Sequence, residues 1–137
     1  MKITIEKNII ATIDEVWKAF NNPDDILQWD YTNEWKTTWV SNDLKVGGKL
    51  LLRIENSENS ENSEGFDFSA TYTQIELNRL IEFRDNEEQM VYLEFIENEN
   101  NVTIRQTFDA ISTLSENEQR LEWQSVLDRF AQHVEEK

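Results

Sequence analysis

The sequence contains no cysteine, which removes disulfides, thiolate zinc sites, iron–sulfur clusters and a cysteine nucleophile at once. Histidine is nearly absent as well, with His133 standing alone. A zinc hydrolase needs at least three ligands around an open position, and serine catalysis needs a histidine base beside a nucleophile elbow. His133 falls near the end of a helix, where an imidazole meets free carbonyls, and no Gly-x-Ser-x-Gly occurs. The expectation is a protein without metal or cofactor. Basic residues are few: thirteen Lys and Arg against twenty-eight Asp and Glu give a net charge of −15. Such a chain repels phosphate backbones and anionic membranes, so nucleic acid is a poor partner. The acidity reads as a solvated surface, with a basic protein partner as the alternative. Long apolar runs are missing too. Met1-Lys2-Ile3-Thr4-Ile5-Glu6-Lys7 alternates and carries charge, unlike a signal peptide, and no stretch approaches a membrane span. A cytoplasmic protein with no membrane insertion is expected.

Apolar and aromatic residues are plentiful. A chain of 137 residues buries roughly two-thirds of its unfolded surface on folding, which allows one sizeable core and predicts a single domain over 1–137. Five Trp, seven Phe and three Tyr supply bulk for that core.

Alternation predicts a strand over 3–10. Thr12 followed by Glu15 is a capping box, and Ile13, Val16, Trp17 and Phe20 make one helical stripe. Asn22-Pro23 ends that helix and opens another, running to about Trp29. Period-two patterning then gives strands near 35–41, 48–56, 66–77, 79–84, 89–97 and 102–110, with Gly47-Gly48, Asn78, Asp85-Asn86 and 98–101 at turns. Asn56 to Glu64 is one Asn-Ser-Glu triplet written three times without an apolar residue, which predicts a flexible hairpin tip. The stretch 115–136 is a long helix: Ser115 and Glu118 form a second capping box, Glu116 precedes Arg120 by one turn, and Trp123, Val126, Leu127, Phe130 and Val134 share a stripe. That stripe finds cover only in the concave face of a curled sheet. The fold class is therefore α+β, a seven-stranded antiparallel sheet in β-α-α-β6-α order around the last helix.

This order resembles the helix-grip superfamily, also called START-like or SRPBCC, and the wording resembles its AHSA-type branch, named after the ATPase activator of the heat-shock protein 90 chaperone. The matching words are Ala11-Thr12-Ile13-Asp14-Glu15-Val16-Trp17, Asn42-Asp43-Leu44-Lys45-Val46-Gly47-Gly48-Lys49, Arg53, Gly65-Phe66-Asp67-Phe68, Tyr72, Thr107-Phe108-Asp109-Ala110, Glu118-Gln119-Arg120 and Trp123-Gln124-Ser125-Val126-Leu127. They span nearly the whole chain, with the triplet insertion as the chief departure. Most such relatives are bacterial proteins without an assigned role, while the wider superfamily includes lipid carriers, hormone receptors, aromatases and cyclases. Fold alone does not choose among these.

Gly47-Gly48-Lys49 opens a strand rather than a helix and lacks phosphate-loop spacing, so it reads as a turn needing positive φ. Asp67 and Asp109 alternate opposite to Phe66, Phe68 and Phe108, which places them toward solvent. The aromatic excess carries more information. With Leu50, Leu52 and Ile54, then Phe66, Phe68 and Tyr72, then Val91, Leu93 and Phe95, then Val102, Ile104, Gln106 and Phe108 on the concave face, the wall is apolar with Tyr72 and Gln106 as its polar exceptions. Each of those two needs a ligand oxygen or a protein neighbour, and Arg53 and Gln124 are the partners considered. The expected function is binding of a small hydrophobic molecule, lipid-like or aromatic, against Trp17, Phe68, Tyr72, Phe95, Gln106, Phe108, Trp123 and Leu127. Alternatives are a protein-interaction module resembling the chaperone activator and a cyclase- or aromatase-like enzyme.

Overall fold

The order of elements follows from where the chain can cap a helix. Thr12 Oγ1 accepts from the Glu15 amide while Glu15 Oε1 accepts from the Thr12 amide, a complete capping box that opens the first helix. Asn22 closes this helix and caps the next, its side chain accepting from the Asp24 amide, with Pro23 at the first position. At the long helix the box is half made: Ser115 Oγ accepts from the Glu118 amide, and among the described residues Glu118 does not return the bond.

The computed structural model describes residues 1–32, 34–56 and 64–137. The chain runs β1 (Lys2–Ile9), α1 (Ile13–Asn21), α2 (Pro23–Trp29), β2 (Trp35–Asn42), β3 (Lys49–Asn56), β4 (Gly65–Glu76), β5 (Leu80–Asp85), β6 (Met90–Glu97), β7 (Val102–Asp109) and α3 (Glu116–Glu135). All seven strands form one antiparallel sheet in the order β1-β7-β6-β5-β4-β3-β2. These are the elements expected from the residue pattern. The triplet tip lies outside the described residues over 57–63; at its base the Asn56 amide donates to the Glu64 carbonyl at 2.8 Å. Gly47 takes φ +84°, as the turn requires, and a Cβ on Gly48 would collide with the Asp43 carbonyl oxygen.

Cross-strand register builds the concave wall in rungs. One runs Ile3, Phe108, Val91, Phe83 and Tyr72 across five strands. The next runs Ile5, Gln106, Leu93 and Ile81. Register shifts in β2 between Thr37 and Trp39, and in β4 between Tyr72 and Gln74, reverse which side chains face inward beyond them. Trp39 therefore leaves the interior and is 54% exposed.

The long helix does not sit centrally over this wall. It packs on β1, α1 and α2, and it is stitched there by polar bonds: Arg120 donates to the Thr4 carbonyl at 2.7 Å and Gln124 to the Glu6 carbonyl at 3.2 Å. These are carbonyls of an edge strand, which otherwise look for partners. The flank under α1, α2 and α3 is solid, filled by Trp17, Phe20, Trp29, Phe95 and Phe130 at ring separations of 4.9 to 5.6 Å. The other flank, walled by β3, β4 and β5, is not filled.

Candidate functional site

An open cavity of about 500 Å3 occupies that second flank, within the usual range for small-molecule sites. Its floor is Leu50, Leu52 and Ile54 of β3, Phe68 and Tyr72 of β4, Ile81 and Phe83 of β5, and Leu93 of β6. Trp123, Val126 and Leu127 of α3 form the roof. Tyr31, Phe66, Ile111 and Leu114 line it and are also exposed, so they rim the mouth.

Five of the eight residues expected at the site line the cavity: Phe68, Tyr72, Gln106, Trp123 and Leu127. Trp17, Phe95 and Phe108 do not. Trp17 of α1 meets Phe95 of β6 edge-on at 5.0 Å, because α1 covers the end of the sheet where Phe95 lies. Phe108 is sealed behind Trp123, the two rings stacked at 4.0 Å and 10°. These three back the site from the solid flank.

Polar groups punctuate the wall. The Tyr72 hydroxyl donates to Asn42 Oδ1 at 2.6 Å, and Asn42 Nδ2 donates to the Asn21 carbonyl at 2.9 Å, linking β4 through β2 to α1. Burial pushes the Tyr72 pKa far up, the bond to Asn42 opposing. The partner of Tyr72 is thus Asn42, rather than Gln106, Arg53 or Gln124. Arg53 instead faces out toward exposed Asp67 at 3.4 Å. Gln106 lines the cavity and makes no side-chain hydrogen bond among the described residues. Gln119, beneath the rim, accepts from the Ile111 amide at 2.8 Å and donates to the Ile111 and Leu114 carbonyls, which fixes the loop before α3.

Asp30 is a group the residue pattern did not reveal. It caps the end of α2 and lines the cavity beside Thr37, whose hydroxyl donates to Asp30 Oδ2 at 2.8 Å. Burial raises its pKa, the Thr37 bond opposing. The acids singled out earlier lie elsewhere: Asp67 is exposed, as alternation implied, whereas Asp109 is half-buried, accepting from Lys2 Nζ at 2.6 Å and the Met90 amide at 2.9 Å. Those two bonds hold the Asp109 carboxyl below the ordinary range.

His133 faces Asp25 and not the carbonyls at the helix end. Among the described residues no group of three or more His, Asp or Glu side chains is placed to hold a metal ion. None of the helices described is long and apolar enough to cross a membrane.

The family described as Activator of Hsp90 ATPase homolog 1-like protein matches residues 10–135. An AHSA1-like protein from Aeromonas hydrophila, solved in solution, is 34% identical, with 98% of this chain and 92% of that one covered at a TM-score of 0.88. A Cytophaga hutchinsonii protein solved in solution is 32% identical over 98% and 92% of the two chains, TM-score 0.84. A crystal structure of a Chromobacterium violaceum protein shares the fold at 17% identity, covering 98% of each chain, TM-score 0.87. No curated protein matches.

Proposed function

The chain belongs to the Activator of Hsp90 ATPase homolog 1-like family, and from that premise we propose that it binds a small, largely apolar molecule in the cavity between α3 and the sheet. The observation that supports this is the cavity itself, an apolar hollow kept open beside a fully packed flank. Phe68, Tyr72, Gln106, Trp123 and Leu127 contact the ligand in this reading, and the free Gln106 amide orients it. Burying about 300 Å2 of apolar ligand surface contributes roughly 7 kcal/mol before the cost of association, which puts micromolar affinity at the upper limit for such a ligand. A protein-interaction role rests on the family description alone, whereas a concave apolar hollow suits a small molecule better than a protein surface.

Ligand that binds only the folded chain raises its melting temperature, by the equivalent of about 2.7 kcal/mol at a hundredfold excess over Kd. Melts with N-phenylnaphthylamine and a panel of aliphatic and aromatic compounds test this directly. Flat melts across the whole panel would count against binding. Native mass spectrometry of protein purified from its own source identifies any molecule that is retained.

A further inference from the structure

The cavity is apolar, yet among the described residues carboxyl groups and no basic side chain line it. Asp30 makes one side-chain hydrogen bond among the described residues, from Thr37 to Oδ2. A carboxylate accepts about four, and among the described residues no further side-chain donor reaches Oδ1 or Oδ2. No Lys, Arg or His among the described residues lines the cavity, and none of them is ion-paired to Asp30. Arg129, the nearest basic residue on α3 by the mouth, is engaged by the next residue along: it donates to the Tyr31 carbonyl at 2.9 Å and lies 4.7 Å over the Tyr31 ring.

The surroundings of Asp30 add negative potential. It sits at the carboxyl end of α2, where the helix dipole is negative. Glu122 lines the same cavity from α3. Trp29, Tyr31 and Trp35 line the same cavity as Asp30, and an aromatic ring attracts cations over its face, as Arg129 over the Tyr31 ring already does. Burial of the carboxyl raises its pKa, and an ammonium group set beside it would favour the charged form again.

We propose that the cavity takes an apolar or aromatic amine, its ammonium group set against the Asp30 carboxylate and its hydrocarbon body along the β3–β5 wall. This rests on the binding reading given above and narrows it. An anionic amphiphile such as a fatty acid would meet two carboxyls and no cation. A neutral alcohol would donate one hydrogen bond to Asp30 and leave its charge unbalanced. The amine alone supplies both hydrogen bonds and charge.

Calorimetric titration of the whole chain at neutral pH with phenylbutylamine, phenylbutanol and phenylbutyrate separates these cases, because the three share one apolar body. The expected order is amine first, by about tenfold or more over the alcohol, with the carboxylate weakest. Asp30→Asn keeps an acceptor for the Thr37 hydroxyl, and it should abolish the amine's advantage over the alcohol. Asp67→Asn, on the exposed outer face, removes the same charge from the molecule and should leave the preference intact. Alcohol or carboxylate binding as tightly as amine to the unaltered chain overturns the amine assignment but keeps the binding cavity. An amine preference that survives in folded Asp30→Asn, or that falls equally in Asp67→Asn, overturns it too. No binding by any of the three removes the binding reading itself.

Discussion

His133 and Asp25, 108 positions apart in the chain, meet at 2.8 Å through Nε2 and Oδ1 and tie α3 to α2. Lys137 Nζ reaches the same carboxylate oxygen. Asp25 is 5% exposed. Burial by itself would raise its pKa, but the hydrogen bonds and charges of Lys137 and His133 together outweigh it and hold the carboxyl below the ordinary range.

A depressed folded-state pKa stabilises at pH values above the unfolded one, 3.8, and that contribution is lost as pH falls through the folded value. Asp25→Asn should therefore cost about 2–4 kcal/mol near neutral pH, as expected when a buried pair loses its charge. Urea denaturation of both proteins at descending pH checks this. The difference should shrink as the pH falls below 3.8 and through the depressed folded-state value; a difference that stays constant down to acid would show that Asp25 acts by packing and not by charge.

Tyr72→Phe removes the donor to Asn42 and leaves Asn42 Oδ1 inside the protein without it. The expected loss is about 1–2 kcal/mol, read as a lower urea midpoint with an unchanged slope. An equal midpoint would mean that water replaces the hydroxyl at no cost.

Gln119→Ala releases the loop before α3, since one side chain bonds both the amide and the carbonyl of Ile111. Hydrogen exchange at the Ile111 amide should accelerate by about tenfold or more, with a stability loss of roughly 1–3 kcal/mol. Unchanged protection would indicate that Ile111 is held by its own packing.

Val126→Trp places a large ring where α3 roofs the cavity. Filling a hollow costs little strain, so the melting temperature should hold or rise, while N-phenylnaphthylamine fluorescence on addition of protein should fall to background. Retained fluorescence in the folded variant would locate the probe elsewhere.

The fold was legible in the residues because its signals are local: the Thr12–Glu15 capping box, Pro23 after Asn22, and a six-strand alternation cut by Gly, Asn and Asp turns. The floor of the cavity was legible for the same reason, through Leu50, Leu52, Phe68 and Tyr72. What pattern did not reveal was which part of the concave face is filled. Trp17, Phe95 and Phe108 share the periodicity of the true lining, yet the lateral position of α3 seals them away, and that position depends on Arg120 and Gln124 finding β1 carbonyls far off in sequence. Trp39 alternates in step with Trp35 and Thr37, and the register shift in β2 that turns it outward carries no clear mark in composition. Asp30 and Asn42 looked like ordinary turn and strand-end residues. Only the closure of β2 over the end of α2 brings them to the cavity.

Because α3 leans to one side, the labour within this molecule is divided in space. Rings interlock beneath the three helices at 4.9 to 5.6 Å, whereas on the opposite side Phe83 meets Tyr72 and Phe68 at 6.1 and 6.4 Å. Substitution at Phe66, exposed at the rim, can reshape the mouth with little threat to the scaffold. The shape of the mouth can thus drift in sequence while the frame is kept.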